Sequence, residues 1–282
     1  MVIDPLSPAT LSEDNHIIVV VKPAGLPTAN ASRGQVSLFT LLANRGPRGR
    51  FLGVVSRLDA AVSGVGVLAK TRAAAAELAR QFRERLVEKS YEAIVEGRFP
   101  AALGRWVDWH DRLTRHGDDR RSRVHPGGGR AARGPGEERD RDGGEHMLDD
   151  PALYDPIDAG QMADGADCHV RARVVRRLGE VSLVDLVPSS GRRHQLRAQL
   201  AERGCPIVGD RTYGARLPFS SARGLGAAIA LHARRLAFGH PHTGQRVEFA
   251  ADRPAAWLAA YPQFGRGGDE PPPNDVGGGV SG

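Results

Sequence analysis

The sequence predicts an α+β fold with a mixed, mostly antiparallel sheet and flanking helices. Strand-like runs are followed by single helical patterns, and several runs are joined directly by Gly-containing turns, which is hairpin connectivity. The chain has 282 residues, 40% of them hydrophobic, ample for a sizeable core. No internal repeat interrupts this reading.

HIIVVVKP (16–23) is a β-branched run ended by proline, a strand by composition. SLFTLLANR (37–45) spaces Leu38, Leu41 and Leu42 as a helix does. LGVV (52–55) and SGVGVLAKT (63–71) read as strands on either side of SRLDAAVSG. TRAAAAELARQFRERLVEKS (71–90) is the clearest helix, with Thr71 as cap and Ala74, Leu78, Phe82 and Leu86 on one face. SYEAIVEGRF (90–99) is the strand leaving it, and RWVDWHDRLTRH (105–116) another, with Trp106 and Trp109 as packing residues.

Residues 117–150 mix Gly, Arg, Asp and Glu with almost no large apolar residue. Such a composition buries too little surface to order itself, so a flexible insert is expected at about 117–165. Order resumes with a hairpin across 168–191 that turns at Leu178-Gly179-Glu180, then a helix over 194–204 ended by Gly204. PIVGDRTYGA (206–215) is a Gly-punctuated loop. AIALHARRLAF (228–238) and QRVEFAA (245–251) are strands around the turn HPHTG, where His240 and His242 read as surface residues. PAAWLAAYPQF (254–264) is a short helix, and the Gly/Pro-rich stretch 265–282 reads as a disordered tail. One ordered domain is therefore expected over 14–264.

The formal net charge is +6, which suits a polyanion such as RNA, although charge alone fits many soluble proteins nearly as well. Lysine occurs only at 22, 70 and 89. The two cysteines, Cys168 and Cys205, make neither a disulfide framework nor a zinc site. Ten histidines show no metal-ligand spacing, so no metal is expected. There is no phosphate loop, and GVGVL (64–68) follows a turn instead of opening a helix, so no cofactor is expected either. Ser63, His194 and Asp59 could be drawn as a hydrolase triad, but the GxSxG elbow is missing. Without a long apolar run or a signal pattern, a cytoplasmic protein with no membrane partner is expected.

Three polar segments sit where elements end: Arg57-Leu58-Asp59, Lys89-Ser90-Tyr91, and Gly191-Arg192-Arg193-His194-Gln195-Leu196-Arg197. A carboxylate in such a cleft needs a cation if it is to stay ionised, and Arg197 and Arg57 are both candidates. From the residues alone, Asp59 reads equally well as a functional group or a turn former.

Taken together, HIIVVVKPAGLPT (16–28), SRLDAAVSGVGVLAKT (56–71), KSYEAIVEG (89–97), GRRHQLRAQLAERGCPIVGDRTYGA (191–215) and LHARRLAFGHPHTG (231–244) resemble the RluA-type pseudouridine synthases. The match is collinear from about residue 14 to 252, interrupted at 117–165. The resemblance implies the pseudouridine synthase fold with a central cleft, in a stand-alone catalytic domain without an S4 segment before residue 14. It implies an RNA substrate, rRNA or tRNA, and a monomer is expected. Asp59 then occupies the place of the catalytic aspartate, with Arg197 as its partner. Tyr91 matches the tyrosine that packs on the target base and is proposed to help move the C5 proton. Arg57 matches an arginine that helps hold the flipped-out nucleotide. Leu231 lies in the apolar segment lining the uracil pocket, and Arg192 and Arg193 would contact phosphates.

The sequence also departs from the family pattern. Ser56 and Val62 stand where histidine and threonine are usual, Arg193 replaces a threonine, and Cys168 and Val170 stand where a threonine and an aromatic residue are expected. Hydrogen bonding in the aspartate loop is therefore expected to differ. Two readings stay open at this stage: an active uridine isomerase, and a non-catalytic RNA-binding relative. For the remaining polar residues the structural role is the expected one. Lys22 supports its turn, His194 and Gln195 fix a strand-to-helix turn, Tyr213 is structural and His232 bonds within the core.

Overall fold

The computed structural model describes residues 8–29, 36–45, 49–114, 121–127, 165–220 and 226–265. In chain order the elements are β1 (Ala9–Glu13), β2 (Ile17–Lys22), α1 (Leu38–Ala43), β3 (Gly53–Val54), β4 (Ser63–Ala69), α2 (Arg72–Arg83), β5 (Glu88–Glu96), β6 (Val107–Thr114) and β7 (Arg123–Pro126). They continue with β8 (Ala166–Leu178), β9 (Val181–Pro188), α3 (Gln195–Glu202), β10 (Leu231–Gly239), β11 (Arg246–Ala250) and α4 (Ala255–Ala260). The strands form one sheet in the order β1-β2-β4-β10-β5-β9-β8-β6-β7, with β3 also on β4 and β11 also on β10. Only the β4–β10 pairing is parallel among the described residues. The α+β expectation with a mostly antiparallel sheet holds.

The unbroken apolar run of β2 is explained by burial on both faces. Ile17 and Val19 pack with Val67, Ala75 and Leu78 on the α2 side. Ile18 and Val20 pack with Leu38, Leu42 and Leu68 on the α1 side. Each such side chain contributes roughly 1.5–3 kcal/mol when fully buried, which fixes the strand between the two helices. At the other end of the sheet, Tyr91, Leu186 and Ala172 lie in register on one face, and Leu196 and Leu200 of α3 pack in the same cluster. The opposite face carries Glu92, Asp185 and Arg173 in register. Where β4 meets β10, Gly64 has φ 126°, and a Cβ there would lie 2.3 Å from the Ala233 carbonyl oxygen. Glycine is what lets these two parallel strands close.

Four expectations are corrected. First, α2 ends at Arg83 instead of running to 90. The Leu86 amide donates to the Gln81 carbonyl and the Arg85 amide to Phe82, while Arg85 takes φ 62°. This is a Schellman ending with arginine in the place usually held by glycine, so nothing in the sequence marks it. Leu86 consequently leaves the helix face and is 55% exposed. Second, β1 precedes the expected first strand. Third, the segment expected as a flexible insert contains β7, which pairs antiparallel with β6 from Arg123 to Pro126. Residues 117–120 and 128–164 of that segment, like the tail after Gly265, lie outside the described residues. Fourth, His240 is buried rather than a surface residue, because its Nε2 lies 2.7 Å from Asp14 Oδ2 at the β1–β2 corner.

Candidate active site

Asp59 sits on the connection between β3 and β4, and the 22–28 turn holds that connection at two points. The Lys22 ammonium donates to the carbonyls of Pro23 (3.0 Å), Leu26 (2.7 Å) and Ala60 (3.2 Å). The Gly25 amide also donates to Ala60 (2.7 Å). Thr28 Oγ1 donates to the Leu58 carbonyl (2.8 Å) and accepts from the Leu58 amide (3.1 Å). Both neighbours of Asp59 are thus tied by backbone, and the Val62 amide closes the turn on the Asp59 carbonyl at 3.0 Å. Burial pushes the Lys22 ammonium down to about 7, with Asp59 pulling the other way. Its three carbonyl acceptors likewise favour the charged form. Lys22 supports its turn as expected, and the same bonds fix the aspartate loop.

The departures at this loop have a packing reason. Val62 is 3% exposed within the main apolar cluster, where an unpartnered hydroxyl would be costly. Val170 and Cys168 are buried too, and the Cys168 thiol donates to the Asp111 carbonyl. Ser56 is half-buried and lines the cleft.

Arg197 reaches Asp59 from the first turn of α3. Its NH1 donates to Asp59 Oδ2 at 3.1 Å. Its Nε and NH2 form a fork with Asp210 Oδ2 (2.7 Å) and Oδ1 (2.9 Å). Asp210 is 1% exposed. Burial works against the Arg197 charge, but the hydrogen bonds from Asp210 and the pairing with Asp59 outweigh it, and its pKa is raised. A bidentate guanidinium–carboxylate pair is geometrically strict, so Asp210 sets the direction in which the last N–H points. The entry to α3 is shaped by Gln195, whose Oε1 accepts from Ser190 Oγ (2.8 Å) and whose amide donates to the His169 carbonyl (3.1 Å). This is the turn-fixing role expected for it. His194 Nε2 lies 3.6 Å from Asp59 Oδ2, closer to the carboxylate than a turn former needs to be.

A cleft opens beside this loop, with Ser56, Leu58, Lys89, Tyr91, Ala233 and Arg235 in its lining. Burial, and then the Asp59 charge, push the Tyr91 phenol up to about 12. Burial, and then Arg85, push Lys89 down to about 8. Leu231 is not in the lining. It is 3% exposed, in the cluster against which Leu58, Ala61 and Tyr91 pack. Arg57 is exposed, two residues before Asp59 in sequence. Arg192 is half-buried, and its Nε is buried with no hydrogen-bond partner among the described residues.

Of the residues expected at the site, the structure pairs Asp59 with Arg197 and places Tyr91 within electrostatic reach of Asp59. His232 bonds Ser63 Oγ (2.9 Å) within the core, as expected. Asp210 was not singled out by sequence reasoning. Its only signal was its place in the polar loop VGDRTYGA, which gives no hint of a partner thirteen residues back.

Fold and site define an open-sheet α+β domain with a carboxylate–guanidinium pair on a loop beside a cleft. A model of the RNA pseudouridylate synthase family matches residues 16–202, and the chain belongs to that family. It is 28% identical over 243 residues to a ribosomal large subunit pseudouridine synthase C of Vibrio vulnificus (strain CMCP6), covering 85% of this chain and 64% of that protein. It is 32% identical over 271 residues to a ribosomal large subunit pseudouridine synthase D of Neisseria meningitidis serogroup B, covering 89% and 59%. The chain thus spans about three fifths of the length of these relatives. The solved structure titled human RNA pseudouridylate synthase domain containing 4 superposes with a TM-score of 0.61 at 25% identity, covering 89% of this chain and 92% of that one. Human RNA pseudouridylate synthase domain containing 1, at 23% identity and a TM-score of 0.60, shares the fold.

Proposed function

We propose that this protein isomerises uridine to pseudouridine in RNA, with ribosomal RNA as the first substrate to test and Asp59 as the nucleophile. The observation that carries the reading is the Asp59 carboxylate, tied to Arg197 through one oxygen and placed in the electrostatic reach of Tyr91, a wall of the cleft. The names of the relatives support the substrate class. The catalytic unit would run from about 14 to 264.

The isomerisation breaks the C1′–N1 bond, turns the base and forms C1′–C5. The proton lost from C5 is balanced by one gained at N1. Asp59 can attack the sugar carbon or begin by deprotonating the sugar, and either route needs a carboxylate with an open oxygen. Tyr91, held neutral by burial, offers the base a flat face and a hydroxyl donor. It does not start as a phenolate base. The uridine must leave its stack to reach the cleft, and Arg57 and Arg192 would hold the displaced strand by its phosphates.

The test is a pseudouridine map of RNA from cells lacking the protein, after incubation with wild type or with Asp59→Ala. A site restored by wild type and not by the variant supports the reading. Restoration by both removes Asp59 from the mechanism. Restoration by neither, with RNA binding retained, makes the protein a non-catalytic RNA binder.

A further inference from the structure

His194 is left without a task by the chemistry above, yet it is held in an unusual way. It enters α3 with φ 55° and ψ 17°, left-handed values that a non-glycine residue adopts at a cost, and its side chain makes no capping bond that would offset it. Its ring spans two groups instead. Nε2 faces Asp59 Oδ2 at 3.6 Å, and Nδ1 lies 3.2 Å from the Tyr213 hydroxyl.

The hydroxyl's contacts with Ser122 favour one tautomer. The Ser122 backbone amide donates to Tyr213 Oη at 2.8 Å. A backbone amide can only donate, so this bond occupies a lone pair of the phenol oxygen and leaves its proton to give. The His194 Nδ1, 3.2 Å away, is an acceptor within reach of that proton, and the Ser122 side chain, which also bonds the hydroxyl, is the competing one. A neutral imidazole carries one donor and one acceptor, so when Nδ1 accepts that proton the ring's own proton sits on Nε2, the nitrogen that faces Asp59. Burial pushes His194 towards the neutral form. Ser122 also grips the loop directly, since its Oγ donates to the Arg193 carbonyl at 3.1 Å.

The side-chain contacts on Asp59 from Arg197 and His194 both fall on Oδ2, and among the described residues none falls on Oδ1. We propose that His194 is a positioning residue. Its Nε2–H, set by the Ser122–Tyr213 relay, joins Arg197 in holding Asp59 by Oδ2, so that Oδ1 is the oxygen presented to the ribose. At 3.6 Å the contact is an electrostatic one, longer than a hydrogen bond. Contacts of this kind tighten when a substrate closes the site. The proposal rests on Asp59 being the nucleophile, and it gives strand β7, next to Ser122, a part in the site.

The relay is tested first without activity. Nitrogen-15 NMR of the histidine-labelled full chain, with the His194 signals assigned by their loss in His194→Gln, should show the Nε2–H tautomer. The Nδ1–H tautomer in wild type would overturn the relay. Tyr213→Phe keeps the ring packed over Arg197 and removes only the hydroxyl. It should release the tautomer and lower kcat about tenfold while KM stays within about twofold. A kcat equal to wild type would sink the proposal. His194→Gln, which keeps an N–H donor, should retain more kcat than His194→Leu, and equal losses would also count against it. If wild type itself modifies no RNA, the isomerase reading fails, while the NMR result still decides the tautomer.

Discussion

At the scale of the residue, one guanidinium serves two carboxylates of different standing. Asp210 is 1% exposed and takes two of the Arg197 bonds, whereas the Asp59 side chain is 29% exposed and takes one. Asp59→Asn therefore removes the proposed nucleophile with little structural loss, and activity should fall by about 10⁴-fold or more at nearly unchanged melting temperature. Arg197→Ala strands a buried charge on Asp210 and should cost about 3–5 kcal/mol of stability in addition to activity. Thermal melts beside single-turnover assays separate the two, and equal stability in both variants would contradict the clamp. Tyr91 gives a pH prediction. Its phenol is raised from 10.0 to about 12, first by burial and then by Asp59. A raised folded value means that the unfolded chain loses the proton first. The stabilisation is whole below pH 10 and is lost as pH rises towards 12. Catalysis that needs the neutral phenol should accordingly persist well past pH 10, and tyrosinate absorbance at that site should appear only near 12. A fall in kcat centred on pH 10 that is absent in Tyr91→Phe would contradict this.

At the scale of the element, the sheet was legible wherever alternation or β-branching was strong, as in β2, β4, β5 and the β8–β9 hairpin. It was illegible where tertiary contact decides. The end of α2 depends on Arg85 adopting φ 62° with no glycine to announce it. β7 is RVHP in an Arg-rich stretch, and it is a strand because Arg123–Pro126 pair with Asp111–Thr114. His240 is buried because β1 brings Asp14 to it. At the site, Asp59, Tyr91 and Arg197 were readable because each falls within a family pattern, although Tyr91 lies inside β5 and not at its junction with α2. Asp210 and Ser122 were not, because only the folded chain brings them to Arg197 and Tyr213. The consequence for engineering is specific. Deleting 118–148 removes β7 and the Ser122 bonds, so it should lower the melting temperature and kcat together. Replacing only 128–164 with a short Gly/Ser linker spares them and should leave both near wild type. Equal melting temperatures in the two deletions would show that β7 contributes nothing.

At the scale of the whole molecule, the formal charge of +6 matters less than how the charges are distributed over the surface. The sheet face away from Tyr91 is rich in arginine, but its charges are matched: Arg253 forks onto Glu92, Arg173 pairs with Asp185, and Arg171 and His169 lie against Asp108. That face presents little net field to a phosphate chain. The cleft is lined by Lys89 and Arg235, the latter paired with Glu248, and the exposed Arg57 lies on the loop that carries the half-buried Asp59. RNA is thus expected on the cleft side, and its affinity should fall linearly on a log–log plot against salt. Arg57→Ala and Arg192→Ala should each reduce the slope by about 0.7, the share of one single-strand phosphate contact. Arg171→Ala on the matched face should leave the slope unchanged. Asp59→Asn should also leave it unchanged while abolishing turnover, because in the proposed reaction that carboxylate acts on the sugar and not on a phosphate. Filter-binding titrations of these four variants across a salt series decide the point: a slope that drops for Arg171→Ala and holds for Arg57→Ala would place the RNA on the wrong side of the sheet.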